Sequence, residues 1–158
     1  MRHFKSKSLY YLVFFCGFLF LSSCKDDYTE QINQQKELDD QAIKQYLTDN
    51  DILNAQRQSS GVYYIPQVAG NGTQIKRGNI VKAHYIGRYI TGQKFESTYD
   101  LGQPASFTVG ASSVLPGMNE GLMLMQNGEK ATLIIPSLMG YGQYTSILIY
   151  ELTILEVK

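Results

Sequence analysis

The residues best suited to chemistry are few. Two histidines, His3 and His84, and two cysteines, Cys16 and Cys24, are scattered over 158 residues. That matches neither the ligand spacing of a structural zinc site nor a disulfide framework, and it removes most routes through a Cys or His nucleophile. The glycines punctuate short segments without the spacing of a P-loop or a dinucleotide loop. Fourteen Lys and Arg balance fourteen Asp and Glu, and no basic cluster exceeds the pair Lys76-Arg77, so the electrostatic footprint of a nucleic-acid binder is missing. The expectation is a chain that uses no metal, no cofactor and no nucleic acid.

Cys24 is the cysteine whose neighbours suggest a reaction. Arg2, Lys5 and Lys7 precede an apolar run from Leu9 to Leu21, and Ser22 and Ser23 lead to the cysteine, which is the layout of a secretory signal peptide over residues 1–23. A run of 13 residues is short of the roughly 20 that a spanning helix needs, although a transmembrane anchor is the alternative. Leu21-Ser22-Ser23-Cys24 resembles the bacterial lipobox, which implies acylation of Cys24, cleavage just before it and anchoring to a membrane by several acyl chains. Lys25, in place of an Asp, favours the outer membrane. Lys25-Asp26-Asp27 also looks like the charged tags of surface-exported lipoproteins, and a solvated acidic linker would read the same. Cleavage removes three bases and Cys16, leaving eleven bases against fourteen acids, a net charge of −3, and no disulfide.

The remainder divides at about residue 60. Residues 24–60 are rich in Gln, Asn and Asp. Their periodic stretch runs from Glu30 to Leu47, with Ile43, Tyr46 and Leu47 at helical spacing and Ile32 and Leu38 only partly in phase. This predicts an exposed, moderately amphipathic helix packed loosely on the main domain as a stalk; a spacer or dimerising arm is the alternative. Residues 61–158 change to short apolar segments between turns. Val62–Ile65, Ile80–Ile90, Ser106–Val109, Lys130–Ile135 and Ile147–Val157 read as strands, with Asn71-Gly72 and Thr91-Gly92-Gln93 as turns. Pro116 followed by Met118, Leu122 and Met125, stopped at Asn127-Gly128, predicts one short helix. Gly121 costs that helix about 1 kcal/mol relative to Ala, so it must borrow stability from a sheet. An antiparallel sheet wrapped over one helix is an α+β design.

Val81-Lys82-Ala83-His84-Tyr85-Ile86-Gly87, Gly92-Gln93-Lys94-Phe95-Glu96-Ser97-Thr98 and Val114-Leu115-Pro116-Gly117-Met118-Asn119-Glu120-Gly121 resemble, in order and spacing, the FKBP-type peptidyl-prolyl cis-trans isomerases. Ile134-Ile135-Pro136-Ser137, Gly140-Tyr141-Gly142 and Leu148-Ile149-Tyr150-Glu151-Leu152 continue the match, which covers Gly61 to Lys158. The lipobox and arm resemble a lipoprotein subgroup, some members of which are associated with gliding motility. The resemblance implies a five- or six-stranded antiparallel half-barrel around one helix. Its substrate cleft would be lined by Tyr85, Phe95, Phe107, Val114, Leu115, Met118 and Tyr150, with the substrate proline ring on Met118. The Leu115 N–H and the Tyr141 hydroxyl would bind substrate carbonyls, with Glu96 nearby, and the substrates would be Xaa-Pro polypeptides.

Such chemistry suits a chain poor in acid–base groups. Prolyl rotation is opposed by amide resonance, and a dry apolar cavity disfavours the charge-separated planar amide relative to the twisted one. The departures from the family pattern are as informative. Met118 occupies the floor where the family commonly has Trp, and the chain contains no Trp. Glu96 stands where an Asp is usual, and Leu101 and Ala105 replace an Arg and a bulky aromatic. Only Gln143, Tyr144 and Thr145 separate Gly142 from Ser146, where the family usually has a longer loop over the cleft. A more open cleft, slower turnover and weak macrolide binding are expected, with Tyr144 able to cover part of the gap. An isomerase that assists folding of exported proteins is the leading expectation. A weakly catalytic chaperone, or a scaffold of an envelope machine, is the alternative.

Overall fold

The structure, a computed structural model, describes residues 24–142 and 145–158. The leader at 1–23, Tyr144 and the side chain of Cys24 lie outside the described residues. The chain falls into two compact units, one ending at Gln34 and one from Gln35 to Lys158. Of the first, the described part is the polar, largely exposed beginning of helix α1 (Cys24–Asp49).

The second unit holds the rest of α1 and a seven-stranded antiparallel sheet. Its strands are β1 (Gln56–Arg57), β2 (Tyr63–Val68), β3 (Ile80–Tyr89), β4 (Lys94–Ser97), β5 (Ala105–Thr108), β6 (Lys130–Ile135) and β7 (Leu148–Val157). The order is β1-β2-β6-β7-β3-β4, with β5 paired to β3 beside β4. Helix α2 (Pro116–Leu124) follows β5, and a 3₁₀ turn (Ser137–Met139) follows β6. The α+β expectation holds, and the two-residue β1 and the four-residue β4 raise the strand count above the implied five or six.

Side-chain alternation assigns the two faces. On β7, Leu148, Tyr150, Leu152 and Ile154 point into a core shared with Val81, Ala83, Tyr85, Leu133 and Ile135, and Met118 and Leu122 of α2 fill it from the other side. Close approach of α2 depends on its glycines: a Cβ on Gly121 would lie 2.1 Å from Leu133 Cδ1, and one on Gly117 would lie 2.4 Å from Ile135 Cγ2. The helix does borrow its stability from the sheet, and Gly121 is what brings the two together.

The opposite face is also covered. Ile43 is fully buried among Tyr63, Ile65, Ile134, Ile147 and Ile149. Asp40 accepts from the Tyr63 hydroxyl (2.9 Å) and Arg57 Nε (2.6 Å) and pairs with Lys44 (2.7 Å). Burial alone would raise its pKa, but these donors outweigh burial and hold the carboxyl at about 2. The expectation of a loosely packed stalk is therefore corrected for residues 35–49, which are an integral layer of the domain. The boundary drawn at residue 60 falls inside this compact unit.

Candidate active site

Strand β3 carries Tyr85 and strand β7 carries Tyr150, placed by a register that sets Tyr85 opposite Leu152 and Gly87 opposite Tyr150. The backbone of Tyr85 is clamped by Thr98. Its N–H donates to Thr98 Oγ1 (2.8 Å), and that hydroxyl donates back to the Tyr85 carbonyl (3.2 Å). Phe107, on β5, completes an aromatic wall: ring centroids lie 5.7 Å from Tyr85 to Phe107 and 5.6 Å from Tyr85 to Tyr150.

The remaining side comes from the loop that leads into α2. Asn119 organises it, accepting from the Gly110 N–H (2.7 Å) and donating to the carbonyls of Ala111 and Val114 (both 3.1 Å). This sets Val114 and Leu115 against the aromatic wall. Pro116 takes the first helical position, where a missing N–H costs nothing. Leu115 is the cap residue, with non-helical backbone angles (φ −52°, ψ 141°), and among the described residues its N–H has no acceptor. A substrate carbonyl would supply one.

The result is a cavity of about 180 Å³ lined by Tyr85, Phe107, Val114, Leu115, Met118 and Tyr150, with Glu96, Ser113 and Tyr141 also on its lining. Met118 is 2% exposed and forms the floor. A larger cleft between α1 and the 3₁₀ turn, about 250 Å³ and lined partly by Lys36, Arg57 and Pro136, contains no aromatic ring.

Two phenols are tied to polar neighbours. Burial, and then a hydrogen bond to the Glu96 carboxylate, raise the pKa of Tyr85; burial, and then a hydrogen bond to the Tyr141 hydroxyl, raise that of Tyr150. Both therefore stay protonated well into alkaline solution. The Tyr141 hydroxyl is thus a neighbour of the Tyr150 hydroxyl at the rim of the cavity. The Tyr141 ring is 61% exposed, so it stands above the apolar floor.

Of the residues expected at the site, Phe95 alone does not line the cavity. Its ring stands edge-on to Tyr150 (5.8 Å) and beside Tyr89 (4.8 Å). Gly87 provides the room, since a Cβ there would lie 2.7 Å from Phe95 Cζ. Phe95 thus props the Tyr150 wall from behind. Ser113, Thr98 and Asn119 are additions; Thr98 acts on the backbone of β3 and Asn119 on that of the loop just before it, roles that residue type alone does not announce.

An apolar, aromatic-walled notch with a free amide and a phenol at its rim, on a curled antiparallel sheet over one helix, defines the FKBP-type peptidyl-prolyl cis-trans isomerases, and the chain belongs to that family. Residues 71–152 match the family under that description. FK506-binding protein 1A of Neurospora crassa is 37% identical over 110 residues, covering 64% of this chain and 92% of that one. FkpA of Aeromonas hydrophila is 34% identical over 106 residues, 63% of this chain but only 39% of its own length. The crystal structure of FkpA from Escherichia coli aligns with a TM-score of 0.67 at 25% identity, over 98% of this chain and 83% of that one.

Proposed function

We propose that the chain is a lipid-anchored peptidyl-prolyl isomerase of the cell envelope, attached to the outer membrane through Cys24, that assists folding of exported polypeptides. The observation that carries the enzymatic reading is the notch floored by Met118 and walled by Tyr85, Phe107 and Tyr150. A substrate proline seated there loses water around its imide bond. Leu115 N–H and the Tyr141 hydroxyl then fix the flanking carbonyls while the bond twists.

Magnitudes rank these contributions. A million-fold acceleration corresponds to about 8 kcal/mol, and a neutral hydrogen bond contributes about 0.5–1.5 kcal/mol net. Apolar enclosure must supply most of the effect. Tyr141→Phe is accordingly expected to keep at least about a tenth of wild-type kcat/KM, read in a protease-coupled assay on Ala-Pro and Leu-Pro peptides. Near-total loss in a folded variant would reverse the ranking, and wild-type rates at the uncatalysed level would remove the enzyme altogether.

The exposure of Tyr141 and the pliable thioether floor favour one second reading, a chaperone that grips unfolded chains and turns prolines slowly. Acceleration of cis-proline protein refolding without acceleration of peptides would select it. The anchor rests on Leu21-Ser22-Ser23-Cys24. Mass spectrometry of the mature N-terminus should find an acylated Cys24, and an unmodified thiol or a different start would end that part of the proposal.

A further inference from the structure

Tyr141 is mostly exposed, so side-chain packing does little to hold it. Its position is set by the backbone of the turn that carries it. In that turn the amides of Gly140 and Gly142 both donate to the Ser137 carbonyl (3.0 and 3.1 Å), and Gly140 also donates to Pro136 (3.1 Å). Ser137 is therefore the residue on which the turn hangs, and it is fully buried.

Ser137 is held in turn from far away in the sequence. Its N–H and its hydroxyl both donate to a single oxygen of Asp39, Oδ2, at 2.8 and 2.7 Å across 98 residues. Asp39 lies on α1, is 5% exposed, and receives a third donor, Gln35 Nε2, on its other oxygen (2.8 Å). A buried carboxylate is costly unless its lone pairs are satisfied, and three donors here satisfy it. Hydrogen bonds to a charged acceptor are also about twice as strong as neutral ones. An amide in its place would offer one acceptor oxygen instead of two.

We propose that Asp39 is a positioning residue for the isomerase site. Its carboxylate fixes Ser137, Ser137 fixes the turn, and the turn holds the Tyr141 hydroxyl beside that of Tyr150 and over the notch. The proposal rests on the reading that Tyr141 contacts substrate. It assigns the helix before the sheet a part in catalysis that reaches no reacting atom.

The test is a double-mutant cycle on the full chain in detergent, with kcat/KM on an Ala-Pro peptide as the readout. Asp39→Ala is expected to lower kcat/KM about fivefold in the wild-type background and by less than about 1.5-fold in the Tyr141→Phe background, because interactions that act through one group are not additive. Asp39→Asn, which keeps one acceptor, should restore most of the loss. Equal losses in both backgrounds, or no loss in the first, would overturn the proposal while leaving the isomerase reading intact. A Tyr141→Phe variant as active as wild type would overturn it together with the role given to Tyr141. If Asp39→Ala does not fold, Ser137→Ala removes one donor to Asp39 and carries the same comparison, with the same non-additivity expected and strict additivity refuting it.

Discussion

Phe107→Ala is expected to lower kcat/KM for an Ala-Pro peptide about 30-fold, the equivalent of about 2 kcal/mol, while Phe107→Leu costs less than about threefold. Phe107 is half-buried and lies beside Tyr85 in the cavity wall, so part of its ring is available to cover a substrate proline. Truncation to Ala opens that wall to water and restores solvation of the planar imide; Leu keeps the wall apolar and forfeits only the flat surface. An effect of this size exceeds what either rim hydrogen bond can supply. The measurement is the peptide assay with thermal melts in parallel. A folded Phe107→Ala variant within twofold of wild type would show that enclosure is not what drives the reaction.

The second large effect is on stability. Gly121→Ala places a methyl group 2.1 Å from Leu133 Cδ1 and 2.6 Å from Cδ2. Leu133 is fully buried and has no free volume to swing into. Overpacking of this kind costs about 1–3 kcal/mol or more, opposed by about 1 kcal/mol of improved helix propensity. The net expectation is a loss of about 1–2 kcal/mol, seen as a fall of about 4–8 °C in Tm, with Gly121→Val worse. Reducing Leu133 in the same chain should show favourable coupling between the two changes. A Tm equal to or above wild type for Gly121→Ala would mean that α2 rides higher on the sheet than described.

What could be read from the sequence follows from how far each signal reaches. β3, β6, β7 and α2 announced themselves because their periodicity or their turn residues are local. The cleft residues Tyr85, Phe107, Val114, Leu115, Met118 and Tyr150 came from family resemblance, and their meeting around one cavity depends on pairings between distant strands. Lys130–Ile135 carries a further signal: Ala131-Thr132-Leu133-Ile134-Ile135 lacks the alternation of a one-sided strand, and all five are buried, as a strand covered on both faces must be. The second cover had to come from somewhere, and α1 was the available element. Its pattern reads as exposed and only moderately amphipathic because its buried stripe is narrow and includes Asp39, which resembles a surface acid until Ser137 is seen beside it. Phe95 stands one layer behind the cavity, because a motif specifies that a ring is needed and not which side of Tyr150 it occupies.

The sheet offers little to an intruding strand. Its two ten-residue strands, β3 and β7, are interior; one border is β1 with two residues and the four residues of β2 beyond its reach, and the other is β4 and β5 with four each. Long unpaired borders template the addition of foreign chains. An unfolded Xaa-Pro chain, the substrate proposed above, would find only short stretches of open edge beside the notch on which to be zipped into an aggregate.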